Sequence, residues 1–378
     1  MPNFRAISLV TGLVGLGSMS ALTLAVLPAS AGGSAPTVHL SPFAAGAAGQ
    51  TKPDDITKLD GRIYVSFQNN AGKDGTPAGS MSTIVAFNRL GKEVATWSVL
   101  GRADGLTADR FTHTIYASVN EDNNSSLFVI NPADPTPAHY TYSPNPSEIA
   151  AGETSSNGGT DSITIGHDGT VYVAHSNPDP GVGNTAALYT ISLSGTTATL
   201  TPVFGVQDQA TDVVTGATAA LNLTDPDSNR FIPKSAPVLP NTLIQDSQAD
   251  SQLVFVNKPG TTKQSLGVLN LKNAAGDPTV TPQLDDIVEV TGPGTLYVVD
   301  QAKGTISSID TSGITPGTLF VSQPAPAAGD LLNTPDLGLV DPTTGVVTHL
   351  GTGLGSPKGL LFVPQHDDRH GGDGGDES

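Results

Sequence analysis

Five aspartates stand two residues before the first apolar residue of a strand-like run. They are Asp54 before Ile56, Asp104 before Leu106, Asp161 before Ile163, Asp212 before Val214 and Asp285 before Ile287. A sixth run, opening at Leu360, carries Lys358 in the same place. Carboxylates brought together repel, rise in pKa and attract a cation, and one ammonium offsets part of that charge. The same residues also have a structural use, since an aspartate at a repeated turn accepts backbone N–H bonds. Both uses stay open, and they are compatible.

A second acidic group, Asp225-Pro-Asp227-Ser-Asn229, has the D-x-D-x-N spacing that presents oxygens on one side of a loop, as Ca2+ prefers. It lacks the glycine and distal glutamate of an EF-hand, and ordinary turn chemistry accounts for it equally. Ca2+ or another divalent cation is therefore the one cofactor for which the sequence offers ligands. Asn120-Glu121-Asp122-Asn123-Asn124 follows a predicted strand and suits oxygen ligation, sugar binding or a solvated turn. His113, His167 and His175 show no metal-pair spacing. His366 and His370, with Asp367 and Asp368, belong to a polar tail that binds metals loosely or simply aids solubility. Nucleophile elbows, P-loops and H-E-x-x-H motifs are missing, so no catalytic residue is assigned.

What must position these residues is a recurring strand. Arg62-Ile-Tyr-Val-Ser, Thr114-Ile-Tyr-Ala-Ser, Thr170-Val-Tyr-Val-Ala, Gln252-Leu-Val-Phe-Val, Thr295-Leu-Tyr-Val-Val and Gly359-Leu-Leu-Phe-Val repeat one pattern. Their aromatics, from Tyr64 to Phe362, recur at irregular spacings centred on the size of one propeller blade. Short hairpins follow, such as Ile84-Val-Ala-Phe with Val94-Ala-Thr-Trp, each alternating with period two around a polar turn. No long helical periodicity accompanies them. Radial closure lets so many short strands avoid exposed edges, so the prediction is an all-β chain. It is a β-propeller of four-stranded antiparallel blades, six in number, with a pair of β-sandwiches as the alternative. The strand Pro357–Pro364 is expected to pair with one near Thr37–Leu40 and close the ring. Residues 215–250 read as an insertion within the single domain 32–364.

These units resemble the NHL and SMP-30/gluconolactonase-like six-bladed propellers, as do the segments Asp104-Gly-Leu-Thr-Ala-Asp, Val119-Asn-Glu-Asp-Asn-Asn-Ser-Ser-Leu and Leu223-Thr-Asp-Pro-Asp-Ser-Asn. The likeness extends to uncharacterised secreted bacterial propellers and covers about residues 50–364. It implies the fold, and for the lactonases a divalent cation held at the channel mouth by a Glu, Asn and Asp set. This chain has glutamates only at 93, 121, 148, 153, 289 and 377, and Asp54 or Asp55 stands nearest the family's ligand position.

Composition bounds the partners. The 378 residues carry 17 Lys and Arg against 35 Asp and Glu, a net charge of -18, which argues against nucleic acid and anionic membrane. No cysteine is present, so disulfides and thiolate chemistry are excluded. With 43 glycines and 29 prolines the chain lies well above the usual ~12% for those residues. Residues 1–31 read as a secretory signal: Arg5, an apolar run from Ala6 to Leu27, then Ala29-Ser30-Ala31 as a cleavage site. Residues 365–378 hold no apolar side chain and read as a disordered acidic tail.

The expectation is a secreted, extracellular or envelope-associated monomer. It binds a small molecule, carbohydrate or protein, without stable membrane insertion after cleavage. The alternative is a divalent-cation-dependent hydrolase or lyase, lactonase- or esterase-like, with its metal among Asp54, Asp104, Asp161, Asp212 and Asp285. Asp225, Asp227 and Asn229 form the second metal candidate.

Overall fold

The computed structural model describes residues 36–149, 158–178, 183–274, 282–325 and 334–365. The expected signal segment, most of the expected tail (from residue 366) and part of one predicted hairpin (Val280) lie outside them. Strand β1 (Ser41–Ala45) precedes the first blade, β2 (Pro53–Leu59), β3 (Arg62–Phe67), β4 (Met81–Phe87) and β5 (Glu93–Leu100). The second blade is β6 (Ala103–Asp109), β7 (Thr114–Val119), β8 (Ser126–Ile130) and β9 (Ala138–Ser143), followed by one helical turn, α1 (Pro146–Ile149). The third is β10 (Thr160–Ile165), β11 (Val171–His175), β12 (Ala186–Ser194) and β13 (Thr197–Gly205).

A short hairpin, β14 (Gln209–Asp212) and β15 (Thr218–Ala220), leads into the fourth blade. That blade is β16 (Pro226–Phe231), β17 (Thr242–Ser247), β18 (Gln252–Asn257) and β19 (Ser265–Asn270). After it come β20 (Lys272–Asn273), β21 (Asp286–Val290), β22 (Gly294–Asp300), β23 (Thr305–Asp310), β24 (Thr318–Gln323), β25 (Asp336–Val340), β26 (Val346–His349) and β27 (Pro357–Pro364).

The last two blades are interlocked. Strand β21 pairs with β24, which pairs with β25 and that with β26 to form the fifth blade, whereas β22 and β23 lie between β27 and β1 in the sixth. The chain thus lays down the middle of blade six before it completes blade five. Strands β2, β6, β10, β16, β21 and β27 adjoin in sequence around a closed ring and line its channel. Six apolar clusters fill the spaces between neighbouring blades. Tyr64, Trp97 and Phe128 pack between blades one and two, and Leu253, Phe255 and Val321 between four and five. Burial of each such side chain contributes about 1.5–3 kcal/mol, so the inter-blade seams hold the ring together. Local turns match: Asp60 and Gly61, both with positive φ, make the two-residue link from β2 to β3 that a tight hairpin requires.

Three expectations need correction. The terminal strands share blade six but are not paired with each other, since β27 pairs with β22 and the N-terminal strand is β1, outermost beside β23. Residues 215–250 are no insertion, because they hold the innermost strand β16 and its partner β17. The aromatics are not equivalent either. Tyr64, Tyr116, Tyr172 and Tyr297 lie on second strands, Phe255 on a third and Phe362 on an innermost one. Strands β17 and β18 are both buried on both faces, so their apolar patterns are alike and do not reveal rank within a blade.

Candidate functional site at the channel mouth

Four innermost strands, β2, β6, β10 and β16, carry a ring residue near their start and then bend. Register slips between Pro53 and Ile56, Ala103 and Leu106, Thr160 and Ile163, and Pro226 and Asn229. These bulges re-aim the acids Asp54, Asp104, Asp161 and Asp227 toward the channel mouth, as bulges do beside functional sites. Asp285 and Lys358 complete the circle. Together they line a cavity of about 210 Å3, joined by Lys73, Arg102 and Glu121. Gly105 and Gly359 permit the close packing of neighbouring innermost strands: a Cβ on Gly105 would lie 2.7 Å from the Ser162 backbone, one on Gly359 2.7 Å from the Asp54 carbonyl.

One part of the mouth is neutralised. The Lys358 ammonium bonds to Asp285 and lies 3.9 Å from Asp54. Burial lowers the pKa of Lys358, yet Asp285, Asp54 and Asp227 outweigh it and hold the amine protonated. Burial pushes Asp285 up to about 7 even against that ammonium. Gln301 Nε2 donates to Asp54 at 2.9 Å. Arg102 Nε sits 3.0 Å from Asp104 and its Nη1 2.6 Å from Glu121, which Lys73 also approaches at 3.2 Å. Burial alone would raise Glu121, but Arg102 and Lys73 lower it. Gln68 Nε2 donates to Asp104 at 2.7 Å.

The other part is not. Asp161 is 7% exposed, and no donor among the described residues reaches its carboxyl. Burial and then the charge of Asp227 push its pKa well up. Asp227 is partly buried and also lacks a hydrogen-bond donor among the described residues; burial and then Asp285 raise it strongly. Asp225 beside it is pushed up to about 6, first by burial.

Just inside lies a layer of different character. Asp55 accepts from Ile56 N at 2.7 Å and, across the blade boundary, from Leu106 N at 2.6 Å. Asp286 accepts from Ile287 N and Leu360 N, each at 2.7 Å, and from Arg230 Nη2 at 2.6 Å. The cross-blade capping expected of the ring aspartates belongs to their sequence neighbours.

Of the sequence-predicted ligands, Asp54, Asp104, Asp161 and Asp285 converge here, and Asp212 does not. Asp212 ends β14, which lies between β15 and β19 on the outer side of blade four, and there it caps Val214 N (2.9 Å) and Thr215 N (2.7 Å) and accepts from Asn270 Nδ2 (2.8 Å). Its place in the ring belongs to Asp227. Of the predicted D-x-D-x-N set, Asn229 points away from any joint site, donating to the Ser162 carbonyl at 3.0 Å. Glu121 reaches the mouth from the Asn120–Asn124 turn, whose Asn120 Oδ1 accepts from Arg102 N at 2.9 Å. The histidines stay apart: His113 pairs with Asp60 on the surface, His167 with the Ile232 carbonyl, and buried His175 with the Ala186 carbonyl. Sequence reasoning missed Lys73 and Arg102; only the position of Arg102, two residues before Asp104, could have signalled one of them.

Among the described residues no three His, Asp or Glu side chains come close enough to hold a metal ion. Lys358 supplies a positive charge between Asp285 and Asp54. What the mouth can do chemically is bind positive charge and hydrogen-bond donors.

No family model matches the chain, and no curated protein does. Solved structures are similar at low level. A periplasmic gluconolactonase of Pseudomonas aeruginosa is 13% identical over 82% of this chain and 88% of that one, TM-score 0.46. A virginiamycin B lyase of Staphylococcus aureus, solved with quinupristin, is 12% identical over 86% and 96%, TM-score 0.44. A putative 6-phosphogluconolactonase of Bacteroides uniformis is 11% identical over 80% and 85%, TM-score 0.41. Nothing about this chain's chemistry follows from likenesses of that size.

Proposed function

We propose that this protein is an exported ligand-binding propeller that takes a small molecule at the acidic channel mouth and performs no reaction on it. One observation carries the reading: Asp161, nearly buried, faces the mouth cavity with no donor among the described residues. A carboxyl that lines a cavity without a protein donor leaves its oxygens free to accept hydrogen bonds from a bound molecule. Export rests on the leader pattern of residues 1–31. Thermal melts with CaCl2, MgCl2, simple amines and neutral sugars test the reading. A solute that binds only the folded state adds about 2.7 kcal/mol at a hundred times its Kd. The expected result is a reproducible rise in Tm with at least one solute, absent in Asp161→Asn. No rise with any of them, or equal rises in the variant, would refute it.

A further inference from the structure

The mouth contains its own example of the ligand it accepts. Lys358 is a primary ammonium on an alkyl stem, seated between ring carboxylates of the blades on either side of its own, Asp285 and Asp54. Arg102 does the same for Asp104 and Glu121. Around the ring, acids are thus matched by cations from the chain until blades three and four. There Asp161 and Asp227 occupy neighbouring innermost strands, and neither receives a hydrogen bond from a described residue. Asp161 is a buried residue, 7% exposed, and lines the cavity.

Resting on the ligand-binding reading above, we infer that the ligand is a small alkyl mono- or diammonium compound whose ammonium group bridges Asp161 and Asp227. Charge-assisted N–H···O bonds to two carboxylates are the strong kind and are directional enough to select an ammonium over a hydroxyl. The space suits such a compound: a cavity of about 150 Å3 accepts benzene, and this one measures about 210 Å3. Its lining is mostly Asp, Glu, Lys, Arg, Ser and Gln side chains, with Pro324 and Ala325 as a small apolar part against which an alkyl stem can lie. The arrangement also favours a dication, because the acids of the mouth outnumber Lys73, Arg102 and Lys358.

Isothermal titration of the full chain with 1,4-diaminobutane at pH 8 tests this, with 1,4-butanediol as the uncharged match and CaCl2 and glucose alongside. Saturable binding of the diamine and none of the diol is expected. Asp161→Asn and Asp227→Asn should each weaken the diamine at least tenfold, and Asp212→Asn, outside the mouth, should leave it unchanged. Asp161→Ser serves as a second substitution, and circular dichroism confirms that each variant is folded. Equal binding of diamine and diol, or unchanged affinity in both mouth variants, would overturn the inference. Binding of CaCl2 or glucose that Asp227→Asn weakens, with none of the diamine, overturns the ammonium assignment and leaves the ligand-binding reading standing. Binding of no probe counts against both.

Discussion

Asp54 and Asp55, and likewise Asp285 and Asp286, are chain neighbours with opposite employment. The inner member of each pair is satisfied by the fold: Asp55 and Asp286 cap their own strands and reach across to the N–H groups of Leu106 and Leu360. The outer members face a cavity and depend on side chains, on Lys358 and Gln301, and at Asp161 and Asp227 on no donor among the described residues. At Asp54 and Asp55 a bulge one residue long makes the difference, since it turns consecutive side chains toward different surroundings. The same residue type therefore serves as mortar in one layer and, in the function proposed above, as a receptor in the next.

The contrast breaks most visibly at Asp286. Replacing it with alanine removes the carboxylate from half-buried Arg230, which keeps its bond to the Leu360 carbonyl, and uncaps Ile287 N and Leu360 N; the loss is about 3 kcal/mol, and Tm should drop by about 5 °C. Asp55→Ala, which frees two backbone N–H groups, should fall in the same direction by less. Asp161→Asn and Asp227→Asn should do the reverse: Tm unchanged or higher, with ligand affinity down at least tenfold in titration. A fall in Tm as large as that of Asp286→Ala would show the outer layer to be structural as well.

Asp246 sharpens the comparison. It occupies the second-strand position that Ser66, Ser118 and Ser322 fill in blades one, two and five, where each hydroxyl accepts a bulge N–H. Asp246 is 1% exposed, both its carboxyl oxygens lack a partner among the described residues, and burial first of all pushes its pKa well up. Asp246→Ser should raise stability by about 1–3 kcal/mol at pH 8, read from denaturant unfolding, and by less at pH 5.

The pH profile follows from the same groups. Asp285 at about 7, Asp225 at about 6, and the strongly raised Asp104, Asp161 and Asp227 bind more protons folded than unfolded. Stability should therefore fall as pH rises from about 4 through 7, giving a Tm a few degrees higher at pH 5 than at pH 8. His175, held neutral by burial, opposes this below its ordinary titration range, but it is one group against several. The smallest effect belongs to Asp212→Asn, within about 1 kcal/mol and without influence on the mouth.

Much of this was legible in the chain. The repeated Asp two residues before an apolar start located Asp54, Asp104, Asp161 and Asp285, because in those blades the innermost strand buries its next side chain. Blade four hides its position: β16 reads Pro226-Asp-Ser-Asn-Arg-Phe, with polar Asn229 where the other strands have Ile or Leu. Its Arg230 serves the channel by pairing with Asp286, so the apolar marker is lost and Asp212, before Val214, mimics it. The interlocking of blades five and six was illegible for another reason. Strands β22 and β24 carry equally buried apolar runs, and only tertiary pairing decides which one joins β21.

The most direct test of the receptor layer is a crystal structure grown at pH 8 with 1,4-diaminobutane. The account predicts an ammonium nitrogen within about 3 Å of both the Asp161 and Asp227 carboxylates, with Asp55 and Asp286 unmoved in their backbone caps. A mouth holding only water, or Asp161 turned to pair with the protein's own Lys73, would contradict it.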